Sequence, residues 1–170
     1  IRWIKSLGIR GVVFGILKQN GSIDIERNRE LLELARPMEV TFHRAFDVCN
    51  DPLRALDELM YIGFDRLLTS GLQSTAEKGI PLIRELTQRV NESLSIMAGG
   101  GIRAHNIATI IRHTGVKECH ASGRKSFPSK MVHTNPDVFM GAPGQDEYQI
   151  TKTDVQAVRE MVREFPSNLV

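Results

Sequence analysis

The chain has 170 residues, 41% hydrophobic and 25% charged, with a formal net charge of +2 and a pI near 8.7, a balance that describes a globular protein and excludes a disordered or fibrous one. Basic residues are scattered with no dense Lys/Arg tract, which argues against a nucleic-acid partner, and no apolar run approaches the ~18 residues that cross a bilayer, so no membrane partner is expected either. Cys49 and Cys119 stand far apart and outside any C-x-x-C arrangement, which excludes a disulfide framework or zinc knuckle and predicts a reducing, cytoplasmic setting.

In chain order, Ile1 to Ser6 reads as the end of a helix running into Gly8, and because the first residue is Ile1 and not methionine, a fragment or processed form is expected. Five short apolar runs follow, at Gly11 to Leu17, Glu39 to Phe46, Arg66 to Ser70, Ser95 to Ala98 and Glu118 to Ala121. Between them the helical period predicts helices at Asp24 to Ala35, Pro52 to Tyr61, Ala76 to Val90 and Arg103 to His113, with a last one near Asp154 to Glu164. Asp51 before Pro52 makes an N-cap followed by an N1 proline, and Gly63 and Gly115 sit where helices should stop. Alternation of this kind is the pattern of βα units around a parallel sheet.

The second run carries the densest chemistry. It reads V-T-F-H-R-A-F-D over Val40 to Asp47, so an apolar strand ends in three ionisable groups that would be costly to bury unpaired. Two readings stand side by side: His43, Arg44 and Asp47 feed a site, or Arg44 and Asp47 form a structural ion pair at a strand-to-helix junction.

Five strands with alternating helices fit either an open doubly wound sheet or part of a (β/α)8 barrel, which typically has ~250 residues. Polar residues at several strand ends and the glycine triplet Gly99, Gly100 and Gly101 after the fourth run favour the barrel, where such ends converge on one face. A glycine turn running into a helix exposes backbone N–H groups that bind anions; the same three glycines also permit close strand-to-helix packing.

From Gly115 to Gly141 the chain makes a connection longer than most, of the kind that forms lids or binding loops. Strand alternation sets Cys119 and His120 on opposite faces. Cys119 then reads as a small buried hydrophobe, while His120 and Ser122 share the strand-end face.

F-H-R-A-F-D (Phe42 to Asp47), L-T-S-G (Leu68 to Gly71), A-G-G-G-I (Ala98 to Ile102) and E-C-H-A-S (Glu118 to Ser122) together resemble the CutC family of copper homeostasis proteins, over a span from about Gly8 to Gly141. The resemblance implies a TIM-barrel type α/β fold in a single partial domain, with the last five βα units visible and about three N-terminal units preceding Ile1. It carries His43, Arg44 and Asp47 over to one family element, Ser70 and Gly71 to a second, Gly99 to Gly101 to a third, and His120 and Ser122 to the last strand end. It also implies copper, as Cu(I), and adds the nucleus to the expected locations.

Two functions follow from this reading. As a copper protein, the chain offers Cys49, Cys119 and His120 as its ligand set, with His43 and Met131 as further soft or imidazole donors; Cys49 also reads as a helix-entry packing residue. As an enzyme on a small anionic or phosphorylated substrate, it would use Arg44, Ser70, Gly71, the glycine triplet, Ser122 and Arg124 to hold the anion, and His43, Asp47 or His120 to move a proton. A partial barrel leaves two sheet edges open, which predicts association into a homo-oligomer.

Overall fold

The computed structural model describes residues 1–90, 92, 94–138, 140, 141 and 146–165. After a short helix α1 (Arg2–Ser6), five strands alternate with four longer helices: β1 (Gly11–Phe14), α2 (Ile25–Ala35), β2 (Glu39–Phe42), α3 (Pro52–Ile62), β3 (Arg66–Thr69), α4 (Ile80–Arg89), β4 (Ser95–Gly99), α5 (Ala104–Thr114) and β5 (Glu118–His120). The strands pair in parallel in the order β1-β2-β3-β4-β5.

That order decides between the two architectures left open above. Parallel crossovers are right-handed almost without exception, so strands laid down in sequence put every helix on the same side of the sheet. A doubly wound sheet must reverse its order to cover both sides. Here Val40, Phe42, Leu67, Ile96 and Ala98 are buried in one core with Leu32 of α2, Leu56 and Leu59 of α3, Ile83 and Leu86 of α4, and Ile107 and Ile110 of α5. The opposite face carries Glu39, Thr41, Arg66, Leu68, Ser95, Met97, Gly99, Glu118 and His120, by the alternation of a strand. The sheet is therefore singly wound, with its helices on one face, consistent with a TIM-like barrel.

Local chemistry explains the boundaries. Asp24, Asp51 and Asp154 cap α2, α3 and the last helix α6 (Val155–Glu164) by accepting hydrogen bonds from Arg27, Arg54 and Ala157 N–H groups. Three predicted bounds move. β1 stops at Phe14, with only Leu17 forming an isolated bridge to Ile23. β2 ends at Phe42, because Arg44–Val48 coils into a 3₁₀ turn. α4 starts at Ile80, since residues 70–79 make a loop whose Ala76 N–H donates to Gly100 O at 2.8 Å.

The long connection after β5 contains two strands that the apolar runs do not predict, β6 (Arg124–Pro128) and β7 (Gln149–Thr153), paired antiparallel as a separate ribbon. Their sequences, R-K-S-F-P and Q-I-T-K-T, are mostly polar because both faces of the ribbon are largely exposed. Among the described residues no helix is long and apolar enough to cross a membrane.

Candidate functional site at the strand ends

At the exit of β2, His43 is the N-cap of the 3₁₀ turn, and its Nδ1 accepts the Ala45 N–H at 3.2 Å. In the neutral ring the proton is thereby assigned to Nε2. Three residues per turn then bring Arg44 and Asp47 onto the same side, where Arg44 Nε donates to Asp47 Oδ2 at 2.6 Å.

Asp47 does far more than neutralise Arg44. Its Oδ1 accepts from Thr69 Oγ1 at 2.5 Å, Ser70 N–H at 3.0 Å and Leu72 N–H at 3.3 Å; its Oδ2 also lies 2.9 Å from Ser70 Oγ. The carboxylate is 8% exposed and holds the end of β3 in place from β2. Ser70 Oγ also lies 2.6 Å from Gln73 O, and having one proton it donates to one acceptor at a time. Leu72 sits at φ +58°, a backbone conformation that a bulky L-residue adopts only under constraint, and its N–H bond to Asp47 is part of that constraint.

Arg44 completes the junction. Its Nη2 donates to Ser70 Oγ at 2.7 Å, and its Nη1 faces the glycine triplet: a β-carbon added to Gly100, whose φ is +105°, would lie 3.4 Å from Nη1 and 3.1 Å from Ser70 Cβ. Any larger residue at Gly100 would be strained by that φ and would crowd Ser70 Cβ, with the guanidinium in contact. The packing at Gly100 is thus against the Ser70 loop and Arg44 and not between strand and helix, and the Arg44 side chain stays 44% exposed.

The structure accordingly joins Arg44, Asp47, Ser70 and Gly100, with Gly71 following directly in the same loop. His43 flanks the group on the β1 side, where a β-carbon on Gly15 would meet its Nδ1. His120 flanks it on the β5 side, next to Gly99, whose added β-carbon would sit 3.4 Å from His120 Cβ. Ser122 and Arg124 leave this group: Ser122 O accepts from Thr153 Oγ1, and Arg124 enters the ribbon opposite Thr153.

The proposed copper ligands are not brought together. Cys119 faces the helices, lining an apolar cavity with Ile107, Met161 and Phe165, whereas His120 is on the other face. Cys49 follows the 3₁₀ turn, and the parent strands β2 and β5 are separated by β3 and β4, roughly 14 Å across the sheet at ~4.8 Å per strand. Burial pushes both thiols up to about 11, in Cys49 assisted by the nearby Asp51 and Asp47 charges. Among the described residues no three His, Cys, Asp or Glu side chains gather in a way that would hold a metal ion.

One charged layer escaped the sequence reading. At the opposite end of the open face, Arg66 binds Glu118 through Nε and Nη2 and Glu39 through Nη1, and Ser95 donates to Glu118. Glu39, Arg66, Ser95 and Glu118 are the first residues of four neighbouring strands, so aligning the strand starts would have exposed it. These contacts tie strand starts together and push the Arg66 guanidinium further above its ordinary value, through the Glu118 hydrogen bonds first and Glu39 after them.

Comparison with known proteins gives a consistent picture. The model of the CutC family matches residues 1–125. A CutC family protein of Bacteroides fragilis (strain YCH46) is 43% identical over 170 residues, covering 99% of this chain and 68% of its own length. One from Parabacteroides distasonis is 47% identical over 163 residues, covering 95% and 67%. Among solved structures, a provisional copper homeostasis protein CutC from Streptococcus agalactiae superposes with a TM-score of 0.65 at 35% identity, over 68% of this chain and 57% of that one. A structure named native KDPGal superposes with a TM-score of 0.54 at 16% identity, over 94% of this chain and 60% of that one, and shares the fold alone. The chain thus spans about two thirds of the length of its curated relatives.

Proposed function

The chain belongs to the CutC family, and from that premise we propose that it serves copper homeostasis by binding copper as Cu(I). The observation that carries this reading is the family match over residues 1–125, supported by the solved relative described as a copper homeostasis protein. Both cysteines are free thiols, which suits the reducing surroundings that keep copper monovalent.

Cys49, Cys119 and His120 do not fit a single copper centre here, because they lie on different faces and strands, and a thiol held near 11 gives up its proton to a metal only at added cost. Anaerobic titration with Cu(I) is therefore expected to show saturable uptake that persists when Cys49→Ser and Cys119→Ser are combined. Absence of saturable uptake by the unsubstituted chain would end the copper-binding reading.

A second reading rests on a separate observation, the half-exposed Arg44 guanidinium pinned by Asp47 and Ser70 against Gly100. A cation with two of its nitrogens already fixed loses little freedom on receiving a small anion such as a phosphate group, and His43 stands close by to exchange a proton through Nε2. Asp47 weakens the attraction by cancelling part of the charge, so low affinity is expected. Phosphate should raise the melting temperature in proportion to the logarithm of its concentration above Kd, and Arg44→Met should remove that rise; an equal rise in the variant would exclude the site.

A further inference from the structure

Among the six methionines, Met38 and Met161 are in the core and Met60 and Met97 are half-buried, but Met131 and Met140 are 60% and 89% exposed. Both side chains therefore leave their thioether sulfurs accessible to a soft ligand-seeking cation. Both lie on the connection between β6 and β7, and both line the same cavity of about 510 Å³, with Ser129, Asp146 and Glu147 among its other walls.

Hydrogen bonds hold the two methionines to one frame. Met131 N–H donates to Ser129 Oγ at 3.1 Å, Ser129 N–H donates to Tyr148 O at 2.6 Å, and Tyr148 N–H donates to Asp146 Oδ1 at 2.9 Å. On the other side Glu147 Oε1 accepts the N–H groups of Met140 and Gly141, the latter at 2.7 Å.

We propose that Met131 and Met140 form a Cu(I) site at the ribbon, with the two thioether sulfurs as ligands. A thioether is a soft donor that suits Cu(I) and is ill matched to hard cations such as magnesium or calcium. It carries no proton, so it avoids the deprotonation that Cys49 and Cys119 require. The Asp146 and Glu147 carboxylates on the cavity wall add negative charge that favours a monovalent cation over a neutral ligand. The inference rests on the copper reading and moves the ligands from the strand ends to the ribbon.

The test uses the whole chain under anaerobic conditions. Cu(I) uptake is measured in competition with bicinchoninate, and a parallel titration with Ag(I) follows the methyl signals of ¹³C-methyl methionine by NMR, with Met131 and Met140 assigned from M131L and M140L. Leucine is close to methionine in volume and both positions are exposed, so the fold is retained. The expected result is that these two signals shift while the other four stay, and that M131L/M140L loses the uptake that C49S/C119S keeps. Uptake unchanged in M131L/M140L would overturn the site, as would uptake lost in C49S/C119S with M131L/M140L intact, and both outcomes leave the copper reading standing. No uptake by the unsubstituted chain would overturn both.

Discussion

Replacing Asp47 by alanine is expected to lower the unfolding free energy by about 3 kcal/mol, because the Thr69 hydroxyl and the Ser70 N–H are fully buried donors that lose their carboxylate acceptor, at about 1–3 kcal/mol each. For a chain of this size that corresponds to a melting temperature lower by about 6–12 °C. The Arg44 ion pair contributes the smaller share: the Arg44 side chain is 44% exposed, and pairs screened by solvent are worth about 0.2–1 kcal/mol. Arg44→Met should therefore cost well under half of what Asp47→Ala costs, and a double-mutant cycle should return a coupling of about 1 kcal/mol or less. Chemical denaturation of the four proteins checks this. If Arg44→Met proved as damaging as Asp47→Ala, the carboxylate would be acting chiefly as a counter-ion and not as the clasp of the β3 exit.

Gly79→Ala is expected to be of similar severity for a different reason. Gly79 has no unusual backbone conformation, yet a β-carbon there would overlap the Ser70 carbonyl oxygen and lie 2.8 Å from its carbon and 2.9 Å from Gly71 Cα. All three are backbone atoms, which move only if the loop moves, so relief costs about 3 kcal/mol, at the upper end of overpacking penalties. The displaced residue is the one whose N–H and hydroxyl hold Asp47, so any phosphate-induced stabilisation should disappear as well. Gly8→Ala supplies the contrast, because nothing lies within 4 Å of its β-carbon and only its φ of +73° is unfavourable, at about 1–2 kcal/mol. Thermal melts of both variants, with and without phosphate, separate proximity from conformation. A Gly79→Ala protein that melts like the Gly8→Ala protein would show that the loop is not closely packed.

Much of the fold was legible because burial on one side writes itself into the sequence. The runs at Arg66 and Ser95 and the helices ending at Gly63 and Gly115 follow from apolar period and caps, and all appear within a residue or two of the expected places. Where reading failed, the local signal was ambiguous. Val40 to Asp47 looked like one strand because Ala45 and Phe46 prolong the apolar run, but Phe46 is buried from a 3₁₀ turn, not from the sheet. The β6–β7 ribbon was invisible because neither of its faces is buried against the core. In the site, His43, Arg44, Asp47, Ser70 and Gly100 were all nameable from strand-end position, whereas Ser122, matched to His120 by strand parity and by the family resemblance, lies beyond the end of β5 with its carbonyl on Thr153, and Arg124 enters the ribbon.

By itself the sequence determined the parallel βα alternation, the family, and the residues that end each strand, since these depend on periodicity, capping and short contiguous motifs. Only the tertiary structure decided which of them meet. Arg44 with Gly100, and Asp47 with Ser70 and Thr69, are contacts across strands or loops, set by register and by the path of the connections. Cys119 and His120 show the converse, neighbours in sequence that the pleat of a strand sends to opposite sides of the sheet.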